Sequence, residues 1–212
     1  MAVEFPSRDL SAKYDRFARW YDSVEGVLDL LGVKRLRRRV FSEASGKVLE
    51  VAVGTGKNLR YYSRDCQIIA VDLSSEMLKV ARTRAEKLSL HVSLLIANAD
   101  ALPFPDNSFD TVVSSLSTCT FSDPVAALKE IKRVCRAEAR VLLLEHGRSN
   151  REWLGHWQDR HEDQFAKPLG CHWNREPLQL IKDAGLKVVK SRRSFLGVFH
   201  QIAARKINPK LT

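Results

Sequence analysis

Short runs of consecutive apolar residues, separated by segments with helical spacing, set the pattern of this chain. Lys47–Ala52 (KVLEVA), Ile68–Val71, Val92–Ala97, Phe109–Ser114 and Val141–Leu144 each read as a strand. None alternates apolar with polar, so each is expected to be buried on both faces, as in a parallel sheet flanked by helices. Between them, Met77, Leu78, Val80 and Ala81 recur at helical spacing, with Ser74 or Ser75 available as the cap. Val125, Leu128, Ile131 and Val134 do the same behind Asp123-Pro124, a helix start with proline near the first position. A further helix is predicted over Glu176–Ala184, closed by Gly185, followed by two β-like runs, Lys187–Ser194 and Phe199–Ala204. Residues 148–175 are polar and aromatic with weak periodicity, which predicts an insertion or lid over the carboxyl end of the sheet.

In open α/β sheets, ligands bind beyond the carboxyl ends of the strands, where the strand order reverses. The first strand ends in Val53-Gly54-Thr55-Gly56 and the second at Asp72, sixteen residues past Gly56. The glycines let the backbone approach a ligand, and a carboxylate ending the second strand is placed to accept both hydroxyls of a ribose. Dinucleotide-binding enzymes share this pair of features, but here Asn58 and Leu59 follow where a third glycine would complete their fingerprint.

The next block, Ala97–Asp110 (ANADALPFPDNSFD), decides between them. With it the sequence resembles class I S-adenosylmethionine (SAM)-dependent methyltransferases. It is most similar to the group holding quinone C-methyltransferases, bacterial phosphatidylethanolamine N-methyltransferases and alkyl-thiol methyltransferases. Supporting segments are YDRFARWYD (Tyr14–Asp22), VLEVAVGTG (Val48–Gly56), AVDLSSEML (Ala70–Leu78), LLLEHGRS (Leu142–Ser149) and CHWNRE (Cys171–Glu176). The resemblance implies an α/β fold: a Rossmann-like, seven-stranded, mostly parallel sheet with helices on both faces and the last strand antiparallel. It divides the chain into an N-terminal helical cap (1–45), a SAM-binding core (46–147), the insertion (148–175) and a C-terminal helix and strand pair (176–212).

By the same resemblance, Gly54 and Gly56 pack under the methionine end of SAM and Asp72 holds its ribose. Leu73 and Met77 flank the adenine, Asn98 and Ala99 read its edge, and Ser115 lines the methionine side. Glu50 orients the glycine turn or the cofactor's amino group, with Ala52 and Asn58 in the same turn. Tyr14 and Tyr21, from an N-terminal helix, close the pocket. Ala52 stands where the family has its first glycine, Asn98 where it has an aspartate, and Ala137-Glu138-Ala139 where it has a Pro-Gly-Gly turn.

SAM carries its own leaving group, so the protein's task is alignment, with a general base only where the acceptor is protonated. His146, at the end of the fifth strand, is the expected base, and Tyr21 joins it as a catalytic candidate; Glu145, His156, His161 and His172 are further candidates. His156, His161, Cys171 and His172 match no standard zinc spacing, so no metal is expected. Trp153, Trp157 and Trp173 either line an apolar substrate pocket or pack the insertion onto the sheet. Cys119 reads as inert packing.

Of 212 residues, 44% are hydrophobic and 28% charged, ordinary proportions for a globular chain. No apolar run approaches the ~18 residues of a membrane-spanning helix. The start, MAVEFPSRDL, has no basic stretch ahead of an apolar core, so no secretion signal is expected. Four scattered cysteines read as free thiols, which places the protein in a reducing cytoplasm. Net charge is +10. One basic cluster is Lys34, Arg35, Arg37, Arg38 and Arg39; another is Lys187, Lys190, Arg192, Arg193, Arg205, Lys206 and Lys210. Such clusters either meet an anionic partner or form a solvated surface.

Ser23–Phe41 places Val24, Val27, Leu28 and Leu31 on one stripe ahead of the arginines. This amphipathic piece either docks on anionic lipid, peripherally at a membrane, or packs on the sheet. Phospholipid amines, alkyl thiols and prenylated quinols all suit a small, largely apolar acceptor, with the phospholipid amine leading. A non-catalytic SAM-binding domain is the alternative of another class. Nucleic acid is not expected as a partner, because Ser115-Leu-Ser-Thr-Cys follows the fourth strand in place of an Asn/Asp-Pro-Pro-aromatic loop.

Overall fold

In a computed structural model, the structure describes Asp15, Gly26 and residues 29–207. Tyr14, Tyr21, Val24, Val27 and Leu28 lie outside the described residues. The elements run α1 (Lys34–Phe41), β1 (Lys47–Val51), β2 (Gln67–Asp72), α2 (Ser75–Lys87), β3 (Val92–Ile96), β4 (Phe109–Ser115) and α3 (Pro124–Val134). They continue through β5 (Cys135–His146), α4 (Glu152–Arg160), α5 (Glu162–Leu169), α6 (Pro177–Asp183), β6 (Leu186–Ser194) and β7 (Phe199–Lys206).

The strands form one seven-stranded sheet in the order β3-β2-β1-β4-β5-β7-β6. The first five pair in parallel, and β7 runs antiparallel to both β5 and β6. Successive residues of the apolar runs point to opposite faces, which is why both must be apolar. Val112, Val141 and Leu143 enter one core with Leu128, Ile131 and Val134 of α3. Val113, Leu142 and Leu144 enter the other with Leu36, Val40 and Phe41 of α1 and Leu78 and Ala85 of α2.

Both helix caps follow from sequence. Ser74 Oγ accepts from the Met77 N–H at 3.1 Å, and Asp123 accepts from the N–H groups of Val125 and Ala126 at 3.0 and 2.9 Å. The fifth strand is longer than its apolar run. It starts at Cys135, directly after α3, and absorbs Arg136–Ala139 as an irregularity where pairing jumps from Phe109↔Cys135 to Thr111↔Arg140. Ala-Glu-Ala, lacking both proline's fixed φ and glycine's freedom, stays extended where the family has a turn.

The expected amphipathic segment Ser23–Phe41 is not one continuous helix in its described part. Gly32 has φ +117°, which breaks the path between the turn Asp29–Val33 and α1. Packing wins for α1, whose apolar side is in the core. The basic cluster also loses a member: Arg37 is only 3% exposed.

Between β1 and α2 the chain turns sharply through Ala52 (φ +55°), Gly54 (φ +54°) and Gly56 (φ +77°). A Cβ on Gly56 would lie 2.9 Å from the Leu59 side chain and 3.2 Å from the Ala81 backbone, so the turn and α2 meet there without room for a side chain. Ala52 occupies the left-handed region, which costs a residue with a Cβ about 1–2 kcal/mol. Ala52→Gly should therefore raise the unfolding free energy by about 1 kcal/mol, read as a higher urea midpoint with unchanged slope.

Candidate functional site

β1 and β4 are neighbours, and the chain winds outward from them in opposite directions, so their carboxyl ends open a crevice. A cleft open to solvent, with about 760 Å³ of empty space, lies there. Its walls come from the ends of four strands: Val51, Ala52 and Gly54 after β1; Val71 to Ser74 after β2; Ala97 to Asp100 after β3; Ser115 to Ser117 after β4. Met77 of α2 and Thr120, Phe121 and Ser122 complete it. Of the residues singled out from sequence, Ala52, Gly54, Asp72, Leu73, Met77, Asn98, Ala99 and Ser115 line this one space.

Asp72 ties the edges of the cleft together. Its Oδ2 accepts from the Gly54 N–H at 2.8 Å and its Oδ1 from the Ser74 N–H at 2.9 Å. Burial pushes this carboxyl above its ordinary range, while the N–H donors of Ser74 and Gly54 pull the other way. A Cβ on Gly54 would meet nothing within 4 Å, so its absence leaves backbone facing open space. On the far wall Asn98 Oδ1 accepts from the Asp100 N–H at 3.0 Å. Asp100 Oδ1, in the same wall, is buried without a hydrogen-bond partner.

Glu50, Gly56 and Asn58 stand behind the cleft instead of in its lining. Asn58 Nδ2 donates to Glu50 Oε1 at 2.7 Å, and the Tyr62 hydroxyl donates to Glu50 Oε2 at 2.8 Å. Arg37 Nη1 donates to Asn58 Oδ1 at 2.8 Å and to Ser115 Oγ at 3.0 Å. This buried network braces the floor, and it corrects the reading of Arg37 as part of a basic surface. Burial raises the Glu50 carboxyl to about 7, against the opposing pull of Asn58, Tyr62 and Arg37.

Sequence reasoning missed Asp15, Arg37, Tyr62 and Asp100. Asp15 accepts from the Ser74 hydroxyl and, at 3.3 Å, from the Glu76 N–H, reaching α2's start from the N-terminal segment. Its neighbour Tyr14 was the only signal for it. Arg37 was hidden in a run of like charges, whose inward member only packing selects.

His146 is held differently from expectation. It is absent from the cleft lining, and its Nε2 lies 3.4 Å from Cys171 Sγ. The imidazole expected to act as base is therefore engaged by Cys171. Cys119, read as inert, joins the same cluster, all three donor atoms lying within 4.8 Å of one another. The Cys119 hydrogen bond, opposed by burial and helped by His146, draws Cys171 down to about 5. Glu145 turns inward and accepts from the N–H groups of Ser117 and Thr118 at 3.0 and 3.2 Å. The insertion is helical, and two of its tryptophans pack on each other, Trp157 and Trp173, with ring centres 5.1 Å apart, while Trp153 is exposed. Gln158 pins it to the sheet, accepting from the Ser149 N–H at 2.7 Å and donating to the Gly147 and Trp173 carbonyls at 3.1 and 3.2 Å. His161 bonds the Trp157 carbonyl at 2.8 Å and His172 bonds Glu162.

The family model described as a methyltransferase domain matches residues 49–143, the stretch that builds these four strand ends. The chain is 31% identical over 186 residues to a phosphatidylethanolamine N-methyltransferase of Cereibacter sphaeroides, covering 86% of this chain and 91% of that one. It is 27% identical over 221 residues to the mitochondrial methyltransferase OMS1 of Saccharomyces cerevisiae, covering 95% of this chain and 47% of the yeast protein. To a ubiquinone/menaquinone biosynthesis C-methyltransferase, UbiE of Pasteurella multocida, it is 35% identical over 152 residues, covering 64% and 57%. The chain thus spans about half the length of the last two relatives.

Among solved structures, the [4+2]-cyclase SpnF superposes with a TM-score of 0.76 at 19% identity, covering 97% of this chain and 98% of that one. A SAM-dependent methyltransferase of Thermotoga maritima, described as a possible histamine N-methyltransferase, gives 0.71 at 23%, covering 93% and 100%. Both show the fold.

The chain belongs to the SAM-dependent methyltransferases, and its cofactor is SAM. The cleft fits it: Asp100 Oδ1 is an unused acceptor for an amino group, and Gly54 leaves open space over the turn.

The network behind the cleft has a pH signature. The Glu50 carboxyl ordinarily titrates at 4.5 and in the fold at about 7, so the folded protein holds a proton that the unfolded chain has released between those values. Stability from this group is complete below 4.5 and is lost as pH rises through about 7. Glu50→Gln should remove this dependence, gaining on the native protein by about 3 kcal/mol from pH 4.5 to 8 in paired denaturant titrations.

Proposed function

We propose that the protein methylates the amino group of a phospholipid of the phosphatidylethanolamine type, working at an anionic membrane surface. The surface that carries this reading joins parts of the chain far apart in sequence. Arg39 of α1 and Lys190 and Arg192 of β6 line one groove, so the two basic clusters meet. Ahead of α1, a Cβ on Gly32 would lie 3.1 Å from the ring of Phe195, which follows β6. That contact gathers Leu30 (88% exposed), Leu31 (65%), Phe195 (44%) and Leu196 (57%) at two adjoining turns. Apolar residues beside exposed cations suit insertion at a lipid interface. No helix among the described residues is long and apolar enough to cross a membrane. The phosphatidylethanolamine relative, matched over nearly its whole length, supports the same acceptor.

In this reading Asp72 accepts from the ribose hydroxyls with the lone pairs left over from Gly54 and Ser74. Leu73 and Met77 flank the adenine, and Asn98, Ala99 and Asp100 read its amino edge. Gly54 lets the backbone approach the methionine end. Ser115, braced by Arg37, Asn58 and Glu50, shapes the wall beside it, with Ala52 and Gly56 setting the turn. SAM supplies an electrophilic methyl whose sulfur departs as a neutral thioether, leaving S-adenosylhomocysteine. The chain's residues hold acceptor and cofactor in line, an alignment that accounts for about 7–11 kcal/mol of barrier. The acceptor ammonium must lose its proton before attack, and His146, facing Cys171, is not assigned that proton.

Methyl-labelled SAM incubated with vesicles of phosphatidylethanolamine and phosphatidylglycerol should yield N-methylated lipid, faster than with uncharged vesicles. Label appearing in quinones or small thiols from a cell extract, with none in lipid, would replace the acceptor and leave the family intact. Asp72→Ala should weaken SAM binding about 100-fold, the loss of charge-assisted bonds worth about 3 kcal/mol, measured by calorimetry; normal affinity would refute the site map.

A further inference from the structure

Three soft or borderline donors from three separate elements converge beside the cleft. Cys119 lies in the turn after β4, His146 ends β5, and Cys171 follows α5. Their ligand atoms all lie within 4.8 Å of one another, and His146 Nε2 is 3.4 Å from Cys171 Sγ. A tetrahedral zinc ion with bonds of ~2.3 Å to sulfur and ~2.0–2.1 Å to nitrogen sets sulfurs about 3.8 Å apart and sulfur and nitrogen about 3.5 Å apart. The observed cluster is already at that scale.

The imidazole also bonds the backbone of Trp173. His146 is thus engaged by a backbone group as well as, through Nε2, by Cys171 Sγ. A ring anchored through its second nitrogen is how metal-binding histidines are oriented. The supporting frame is built independently of the three donors. The His172 N–H donates to the Cys119 carbonyl at 2.9 Å. Arg175 Nη1 donates to the carbonyls of Phe121, at 2.9 Å, and of Thr118. The turn after β4 and the segment after α5 are thereby held face to face.

We propose that Cys119, His146 and Cys171 bind one zinc ion, with water in the fourth position. Two thiolates and one neutral imidazole form a donor set selective for zinc over magnesium or calcium, which take oxygen. A disulfide between the sulfurs would use two of the three groups and leave the oriented histidine without a role. Sequence spacing gave no hint of this site, because the donors come from non-consecutive elements. The ion would fasten the turn whose Ser117, Thr120 and Phe121 line the cleft to the segment closing the insertion, a positioning role distinct from the acceptor's identity.

The test uses the full chain purified under reducing conditions. Metal analysis should find about one zinc per chain, or zinc titration against a chromophoric chelator should fill one site and raise the melting temperature. Replacement by cobalt should give the intense absorption of a tetrahedral cobalt thiolate. Cys119→Ser and Cys171→Ser should each weaken zinc binding at least ~100-fold and abolish that absorption, while Cys66→Ser leaves both unchanged. The wild-type measurements stand even where a variant fails to fold. Failure of the reduced wild-type chain to take up zinc, a cobalt spectrum unchanged in both cysteine variants, or a Cys119–Cys171 disulfide in a chain that takes no metal once reduced would overturn the proposal.

Discussion

The link on which the site rests is the pair of bonds that Asp72 accepts from the Gly54 and Ser74 N–H groups. They join the turn after β1 to the end of β2 and the start of α2, three elements that touch the same ligand space. A carboxylate between two backbone donors has a fixed orientation. The positive φ of Ala52, Gly54 and Gly56 is what folds the turn back far enough for the bond to form.

Behind this link lies a second layer whose purpose is rigidity. Glu50, Asn58, Arg37, Ser115 and Tyr62 satisfy one another in the interior. Burying so many polar groups is tolerable only when each finds a partner, and the outcome is a floor that resists deformation. The opposite wall is less complete, since Asp100 Oδ1 waits for a donor.

Much of this was legible in the chain itself. The five apolar runs became β1 to β5, but burial on both faces held only for the interior strands: β3, at the edge of the sheet, leaves Leu95 and Ile96 exposed. Ser74 and Asp123 capped the helices as read, being short acceptors placed just ahead of apolar periodicity. Asp72 and Gly54 met in one cleft because they stand at the ends of neighbouring parallel strands, β2 and β1. Glu50, read as orienting the glycine turn or the cofactor's amino group, lies behind the cleft lining and bonds Asn58 of that turn. A motif records which residues a fold needs, without saying which of them face the ligand.

Local pattern therefore determined the strands, the helix caps and the strand ends that meet at one cleft, all governed by period, propensity and nearest neighbours in sequence. Tertiary structure alone decided which arginine of a basic run turned inward, which side His146 faced, and that Cys119 and Cys171 would meet across 52 residues. The joining of Arg39 with Lys190 and Arg192 belongs with these. Such outcomes depend on packing between elements distant along the chain, where burial costs and hydrogen-bond partners are set by neighbours that no local window contains.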